Sequence, residues 1–279
     1  MTVLEPPAGM SGRIRWALED GATVTKRNLL QIRRVPEKLL DVTIQPIVLV
    51  VLFSYVFGSA IVLPGGGDYR EYLMPGIFVQ SVFFTAGSTA VSVSLDMTEG
   101  IVDRFRSLPM ARSAMLTGRT VSDLFGTALS LVIMAICGLL VGWRAHHGVA
   151  DATAGFALLL LVGYAISWTA TWVGLWVRTP EAATAFTMAV LIPLTFVANT
   201  FVPTLNMPTW MRYIAEWNPI SAAVAGCRKL FGNPNPLPSH TRVAWPLAHP
   251  ILATVLWSAL LLAVFVPLAV RRYRTATSR

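Results

Sequence analysis

Residues 95–123 read LDMTEGIVDRFRSLPMARSAMLTGRTVSD, and the fold turns on them. They lie between two long apolar segments and carry Asp96, Glu99, Asp103, Arg104, Arg106, Arg112, Arg119 and Asp123, most of the charge in the middle of the chain. Ile101, Phe105 and Leu108 recur at the spacing of one helical face. Asp103 and Arg106 share another face, within pairing reach. Pro109 ends the helix, because it has no backbone N–H and its ring crowds the preceding turn. The pattern predicts a short amphipathic helix over about residues 96–109, held at a membrane surface by a helical span on each side. A hairpin between spans needs only a few polar residues, so a charged helix here is expected to meet a partner in the cytoplasm. The plain alternative is a solvated loop that follows the positive-inside rule.

Composition supports the membrane. The chain has 279 residues, 54% hydrophobic and 13% charged, against about 25% charged in a typical soluble domain. Its mean hydropathy is +0.61. The net charge of +8 would suggest nucleic acid in a soluble protein; in a membrane protein, basic cytoplasmic loops explain it, and no nucleic-acid partner is expected. Cys137 and Cys227 lack metal-ligand spacing. The N-terminus has no apolar core of a cleavable signal, so the first span is expected to direct insertion.

Six spans are predicted, over about Leu40–Leu63, Leu73–Leu95, Val121–Gly142, Thr153–Val177, Ala182–Val202 and Ala248–Val270, each near the length that crosses a bilayer core. Ahead of them Ile14, Leu18, Ala22, Thr25, Leu29 and Ile32 share one face of a helix over about 11–35, with Arg33 and Arg34 on its basic flank. This is an N-terminal amphipathic helix in the lipid headgroups, and Pro36 stops it. The chain thus divides into 1–36, a tail and interfacial helix, and 37–279, the six-helix domain. Between the fifth and sixth spans, Trp210, Tyr213, Ile214 and Trp217 fall on one face of a short helix expected on the outer membrane surface. A second short helix, about Ile220–Phe231, follows Pro219. With both termini inside, 16 of the 22 Lys and Arg residues fall in cytoplasmic segments, as the positive-inside rule requires.

The missing chemistry narrows the function. There is no GxxxxGK[ST] loop to cradle ATP phosphates. No ionisable residue is expected near the middle of a span, which weighs against a proton-coupled secondary transporter, as does the lack of an internal repeat. His146, His147, His240 and His249 fall in loops or at a span end, so none is placed to activate a nucleophile or bind zinc at depth, which weighs against a membrane-embedded enzyme. Gln80, Thr85, Thr195 and Asn199 are uncharged polar residues in or at the ends of spans. They are candidates to line a translocation path, beside the plainer reading that they hydrogen-bond between helices. Arg119 and Asp123, four apart, read plainly as anchors of the third span. Glu181 reads as an acid favourable at the start of the fifth.

Three stretches resemble one family. EGIVDRFRSLPMAR (99–112) followed by Gly118, Arg119 and Asp123, RNLLQIRRVPEKLLDVTIQP (27–46), and FVPTLNMPTWMRYIAEWNPIS (201–221) are similar to type-2 ABC exporter permeases, closest to the daunorubicin-resistance permease-like subfamily. The resemblance implies an all-α integral membrane protein that is the permease subunit of an ATP-driven exporter. It is not itself an enzyme; a separate nucleotide-binding subunit would hold ATP and Mg. A second permease chain, identical or not, would complete the transporter in a plasma membrane, expected to be bacterial. The implied cargo is a hydrophobic drug or lipid, with polysaccharide or glycolipid as the alternative. The resemblance assigns the helix at 96–109 to docking on the ATPase through Glu99, Gly100, Ile101, Asp103, Arg104, Phe105, Arg106, Leu108 and Pro109. Arg33, Arg34, Arg119, Asp123 and Glu181 are secondary candidates for that contact. No cofactor or metal is expected in this chain.

Overall fold

The structure, a computed structural model, describes residues 44, 47–48, 50–57, 63, 66–100, 114–236 and 243–275. Among them the regular structure is entirely helical. In order the helices are α1 (Tyr69–Thr98), α2 (Ala114–Val141), α3 (Val149–Trp176), α4 (Pro180–Val197), α5 (Thr209–Trp217), α6 (Pro219–Phe231), α7 (Trp245–Ala248) and α8 (Pro250–Thr275). Five described helices, α1–α4 and α8, are long and apolar enough to cross a membrane. They correspond to the second through sixth expected spans. Of the expected first span the described part includes a π-helical turn, Phe53–Phe57, with Phe53 stacked on Phe201 at 4.6 Å. The expected N-terminal helix lies outside the described residues.

Capping residues set several boundaries. Asp68 accepts from the Arg70 N–H at 2.9 Å to open α1. Thr179 accepts from the Ala182 N–H at 3.2 Å, ahead of Pro180 at the first position of α4. Asn218 accepts from the Ile220 N–H at 2.9 Å, with Pro219 at the first position of α6. Side-chain oxygens at these positions satisfy N–H groups that a helix start leaves unpaired, and proline there forfeits no helical bond. Gly232 closes α6 in the left-handed conformation, φ +70°, which glycine adopts without a Cβ clash.

Helix α3 is the hub, packed on α1, α2, α6 and α8. Small residues bring the axes close: a Cβ on Gly174 would stand 2.5 Å from the Ala90 carbonyl oxygen, and one on Gly155 would meet the Phe231 ring at 2.5 Å. The largest buried cluster gathers Phe78, Trp143, Phe156 and Phe231. Trp143 sits just past α2 and donates its indole N–H to Asn233 at 2.8 Å.

One boundary shifts. Helix α8 does not stop at Arg271 and Arg272 but runs to Thr275; arginine is a good helix former and favourable at a helix C-terminus, so only the apolar stretch ends there, not the helix. Helix α6, the second short helix expected before the last span, is present and packs into the bundle. Ser221 through Arg228 are all buried, because a run of small side chains lets it wedge among α1, α3 and α8. Helix α5 does expose the predicted face, with Trp210, Tyr213, Ile214 and Trp217 all more than half exposed and Ala215 and Glu216 buried behind them.

Candidate functional site

The ends of α1 and α2 frame the stretch singled out in the sequence. Helix α1 closes at Thr98; the Glu99 N–H bonds the Leu95 carbonyl at 3.0 Å, and Gly100 turns the chain at φ +68°. Ile101, Asp103, Arg104, Phe105, Arg106, Leu108 and Pro109, and likewise Arg33 and Arg34, lie outside the described residues. The two flanks are joined directly. Arg119 Nη1 meets Asp96 Oδ2 at 2.6 Å, with both side chains about four-fifths buried, so this pair ties the end of α1 to the start of α2.

Deeper in the bundle, Asp123 Oδ2 accepts hydrogen bonds from Thr89 Oγ1 of α1 at 2.9 Å and from Ser167 Oγ of α3 at 3.1 Å. Further along, Ser81 of α1 and Ser130 of α2 share a bond of 3.4 Å. Ser81, Thr89 and Asp96 descend α1 while Ser130, Asp123 and Arg119 ascend α2. Steps of one or two helical turns on antiparallel helices thus build a three-rung polar ladder whose charged rung lies at the end nearest residues 101–113.

The sequence alone makes Arg119 and Asp123 interface anchors. In the structure Arg119 reaches across to the neighbouring helix, and Asp123 ties three helices together. The expected start of the third span, Val121, would have put Asp123 at its very end. Helix α2 begins at Ala114, because nothing between Pro109 and Val121 except Gly118 disfavours a helix, and Asp123 therefore sits well inside it. The predicted bounds put Asp123 beside the end of its span, whereas in the observed helix it stands nine residues in from the first. Spacing alone did not reveal the ladder. Residues 81, 89 and 96 are a polar stripe at seven- to eight-residue steps, and that was the available signal.

The four translocation candidates are spread over α1 and the end of α4. Thr195 Oγ1 turns back on the Leu191 carbonyl at 2.7 Å, within its own helix. The register that sets Gly76 against Thr200 and Gly87 against Thr187 puts Gln80 level with that turn. Gln80 Oε1 and Asn199 Oδ1 are buried with no hydrogen-bond partner among the described residues. Thr85 is half-buried, and its carbonyl accepts from Ser88 at 2.6 Å. Glu181 is exposed in the first turn of α4.

The residue that sequence reasoning passed over is Arg228, fully buried on α6. Its Nε donates to the Tyr72 carbonyl at 2.9 Å, and Nη2 to the carbonyls of Asn199 at 2.9 Å and Thr200 at 3.2 Å. The guanidinium lies 3.5 Å over the Tyr72 ring. Tyr72 and Tyr69 add hydroxyl bonds to the Asn199 and Phe201 carbonyls at 2.8 and 3.0 Å. A helix C-terminus leaves carbonyls unpaired. Here a cation and two phenols from other helices satisfy the carbonyls of the three residues 199–201 in the turn that follows α4. His146, in the polar loop after α2, pairs with Glu71 at 2.8 Å.

Five described helices long and apolar enough to cross a membrane, with α1 and α2 tied together by the Asp96–Arg119 pair, describe a multi-pass membrane protein. Residues 21–231 match the family model described as ABC-2 type transporter. This chain belongs to that family. Among the relatives of this ABC-2 family member, the daunorubicin resistance ABC transporter permease protein DrrB1 of Streptomyces coeruleorubidus is 31% identical, over 97% of this chain and 96% of the relative. The doxorubicin resistance ABC transporter permease protein DrrB of Mycobacterium tuberculosis is 29% identical, over 70% and 66%. The putative transport permease ycf38 of Porphyra purpurea is 27% identical, over 77% and 75%. ABC-2 proteins are membrane permease subunits of ABC transporters, and catalysis of ATP hydrolysis is not theirs.

Proposed function

We propose that this chain is the permease half of an ATP-driven exporter that moves hydrophobic, drug-like or lipid cargo out across the plasma membrane. The observation that carries the reading is near-full-length similarity to a daunorubicin-resistance permease, joined to a helical membrane protein without a phosphate-binding loop. Six spans place both termini in the cytoplasm and the Trp210–Trp217 face at the outer surface. Residues 1–36 form the cytoplasmic interfacial unit and 37–279 the permease domain. A second permease chain and two ATP-binding cassette subunits complete the transporter. Closure of the ATPase on ATP and Mg drives the helix at 96–109. Glu99, Gly100, Ile101, Asp103, Arg104, Phe105, Arg106, Leu108 and Pro109 form its docking surface, supported by Arg33, Arg34, Arg119, Asp123 and Glu181. Gln80, Thr85, Thr195 and Asn199 border the cargo path.

The test is doxorubicin uptake into inverted vesicles that contain this chain with its cassette ATPase. Uptake is expected only with both subunits and ATP. ATP-independent uptake by this chain alone would identify a secondary transporter and overturn the reading.

A further inference from the structure

Arg119 stands between two carboxylates. It pairs with Asp96 across the α1–α2 interface at 2.6 Å, and Asp123 lies four residues on along its own helix, at the separation where side chains on a helix meet. Asp123 makes no ion pair within 4.0 Å among the described residues; hydroxyls of Thr89 and Ser167 hold it instead. Arginine keeps its charge at any working pH, and a charge stripped of its partner in a low-dielectric interface is costly. The Arg119–Asp96 pair therefore resists any motion of α1 along α2 unless a second acceptor is at hand. Asp123 is such an acceptor, and because it travels with Arg119 it is present in every position of α1.

We propose that Arg119 is a positioning residue of energy coupling that exchanges its guanidinium from Asp96 to Asp123 when α1 shifts along α2. This rests on the reading of the chain as an ATP-coupled permease. The Asp96–Arg119 pair joins the two helices that flank residues 101–113, the stretch the proposed function assigns to the ATPase contact. Loss of the pair frees α1 to move, and capture by Asp123 keeps the charge compensated during the move. Packed helices have discrete arrangements, and shifts of an ångström or two up to one helical turn are known steps between them. The Ser81–Ser130 rung, further along the same interface, reports the shift.

The experiment uses the permease–ATPase complex in proteoliposomes, with Cys137→Ala as background and Ser81→Cys with Ser130→Cys as an oxidative cross-link across a hydroxyl separation of 3.4 Å. In the parent, cross-linking is expected to be efficient at rest and to fall with ATP and vanadate. Asp123→Asn keeps an acceptor oxygen for Thr89 and Ser167 but removes the second partner. It is expected to hold the resting cross-link even with ATP and to slow ATP turnover by roughly tenfold or more, as an uncompensated charge on the path implies. Asp96→Asn leaves Arg119 only Asp123, and is expected to give the low cross-linking of the ATP state without ATP. The two substitutions thus act in opposite directions, which a static structural role would not produce. Should Asp123→Asn not assemble, Asp123→Glu, which keeps the charge, is expected to retain both the ATP-dependent cross-link change and turnover. Equal cross-linking in both Asn variants, turnover of Asp123→Asn at the parent rate, or loss of ATP response in Asp123→Glu would overturn the exchange. A parent that exports with ATP while its cross-link never changes would overturn it too and leave the permease reading standing. Export by this chain without the ATPase would remove the permease reading itself.

Discussion

At Arg228 the side chain reaches across helices to the Asn199 and Thr200 carbonyls in the turn beyond the end of α4. Replacing it separates the value of the hydrogen bonds from the cost of burying the charge. Arg228→Met fills much of the same volume without charge but leaves the Tyr72, Asn199 and Thr200 carbonyls without their guanidinium donors; a loss of about 2–4 kcal/mol is expected, since hydrogen bonds to charged groups are worth about 1.5–3 kcal/mol each and charge burial is relieved. Arg228→Lys is expected to lose more. An ammonium is more strongly hydrated than a guanidinium, and a single terminus cannot fork across carbonyls from α1 and from the turn beyond α4. Thermal unfolding of the solubilised protein, followed by tryptophan fluorescence, checks the order. A Lys variant as stable as the parent would show that charge alone suffices there. Nothing in the sequence marks this residue. Arg228 precedes Lys229 near the end of a short helix and reads as a solvated basic pair; only the packing of α6 into the bundle turns one of the two inward.

Two glycines test the packing of elements. Gly174 lies where a Cβ would stand 2.5 Å from the Ala90 carbonyl oxygen and 2.8 Å from Val93 Cβ, and backbone cannot swing aside. Gly174→Ala is therefore expected to push α1 from α3 and cost about 1–3 kcal/mol, the range for overpacking. A Cβ added to Gly126 on α2 would have nothing within 4 Å, so Gly126→Ala should be neutral or stabilise by up to about 1 kcal/mol through helix propensity. Measured melting shifts of the same sign and size would mean that close helix approach contributes nothing. Elements were the most legible level of the sequence. Apolar runs near the length of a bilayer core, with proline or capping residues beside them, located α1, α3 and α4 to within a few residues. Periodicity found the exposed aromatic face of α5. Boundaries failed where hydropathy and helicity part company: α2 starts before its apolar run and α8 outlasts its own. The burial of α6 was hidden because small residues carry little hydropathic signal. The same gap hid the polar ladder, since a Ser or Thr stripe inside an apolar run reads as scattered polar residues until its partners on other helices are known.

For the whole molecule, the number of crossings decides which surface meets which partner. If residues 40–63 cross the membrane, a cysteine at Ser11 and one at Ala145 will react with an impermeant reagent from opposite sides; labelling from the same side would remove the first span and invert the assignment of the coupling stretch. That stretch carries the heaviest consequence. In the proposed coupling helix Ile101, Phe105 and Leu108 would share a small apolar face, and the Asp96–Arg119 pair joins the described helices on either side. Were the face only resting on lipid, Phe105→Ala would cost little. Seated in a groove of the ATPase, a Phe anchor loses a good part of the roughly 3–5 kcal/mol that its truncation costs in a core. Arg104 and Arg106 would add charge-assisted bonds to acidic groups on that partner, so Arg104→Glu turns attraction into repulsion. Both variants are expected to reach the membrane with unchanged labelling at Ser11 and Ala145, while the ATPase no longer co-purifies or doxorubicin export stops. A lost salt bridge alone would weaken binding most at low ionic strength, where screening is least; loss of the Phe105 contact should persist at high salt. Repeating the pull-down at two salt concentrations therefore separates the charged from the apolar part of the contact. Normal assembly and export in both variants would make residues 96–109 a solvated loop and move the coupling contact elsewhere on the cytoplasmic face.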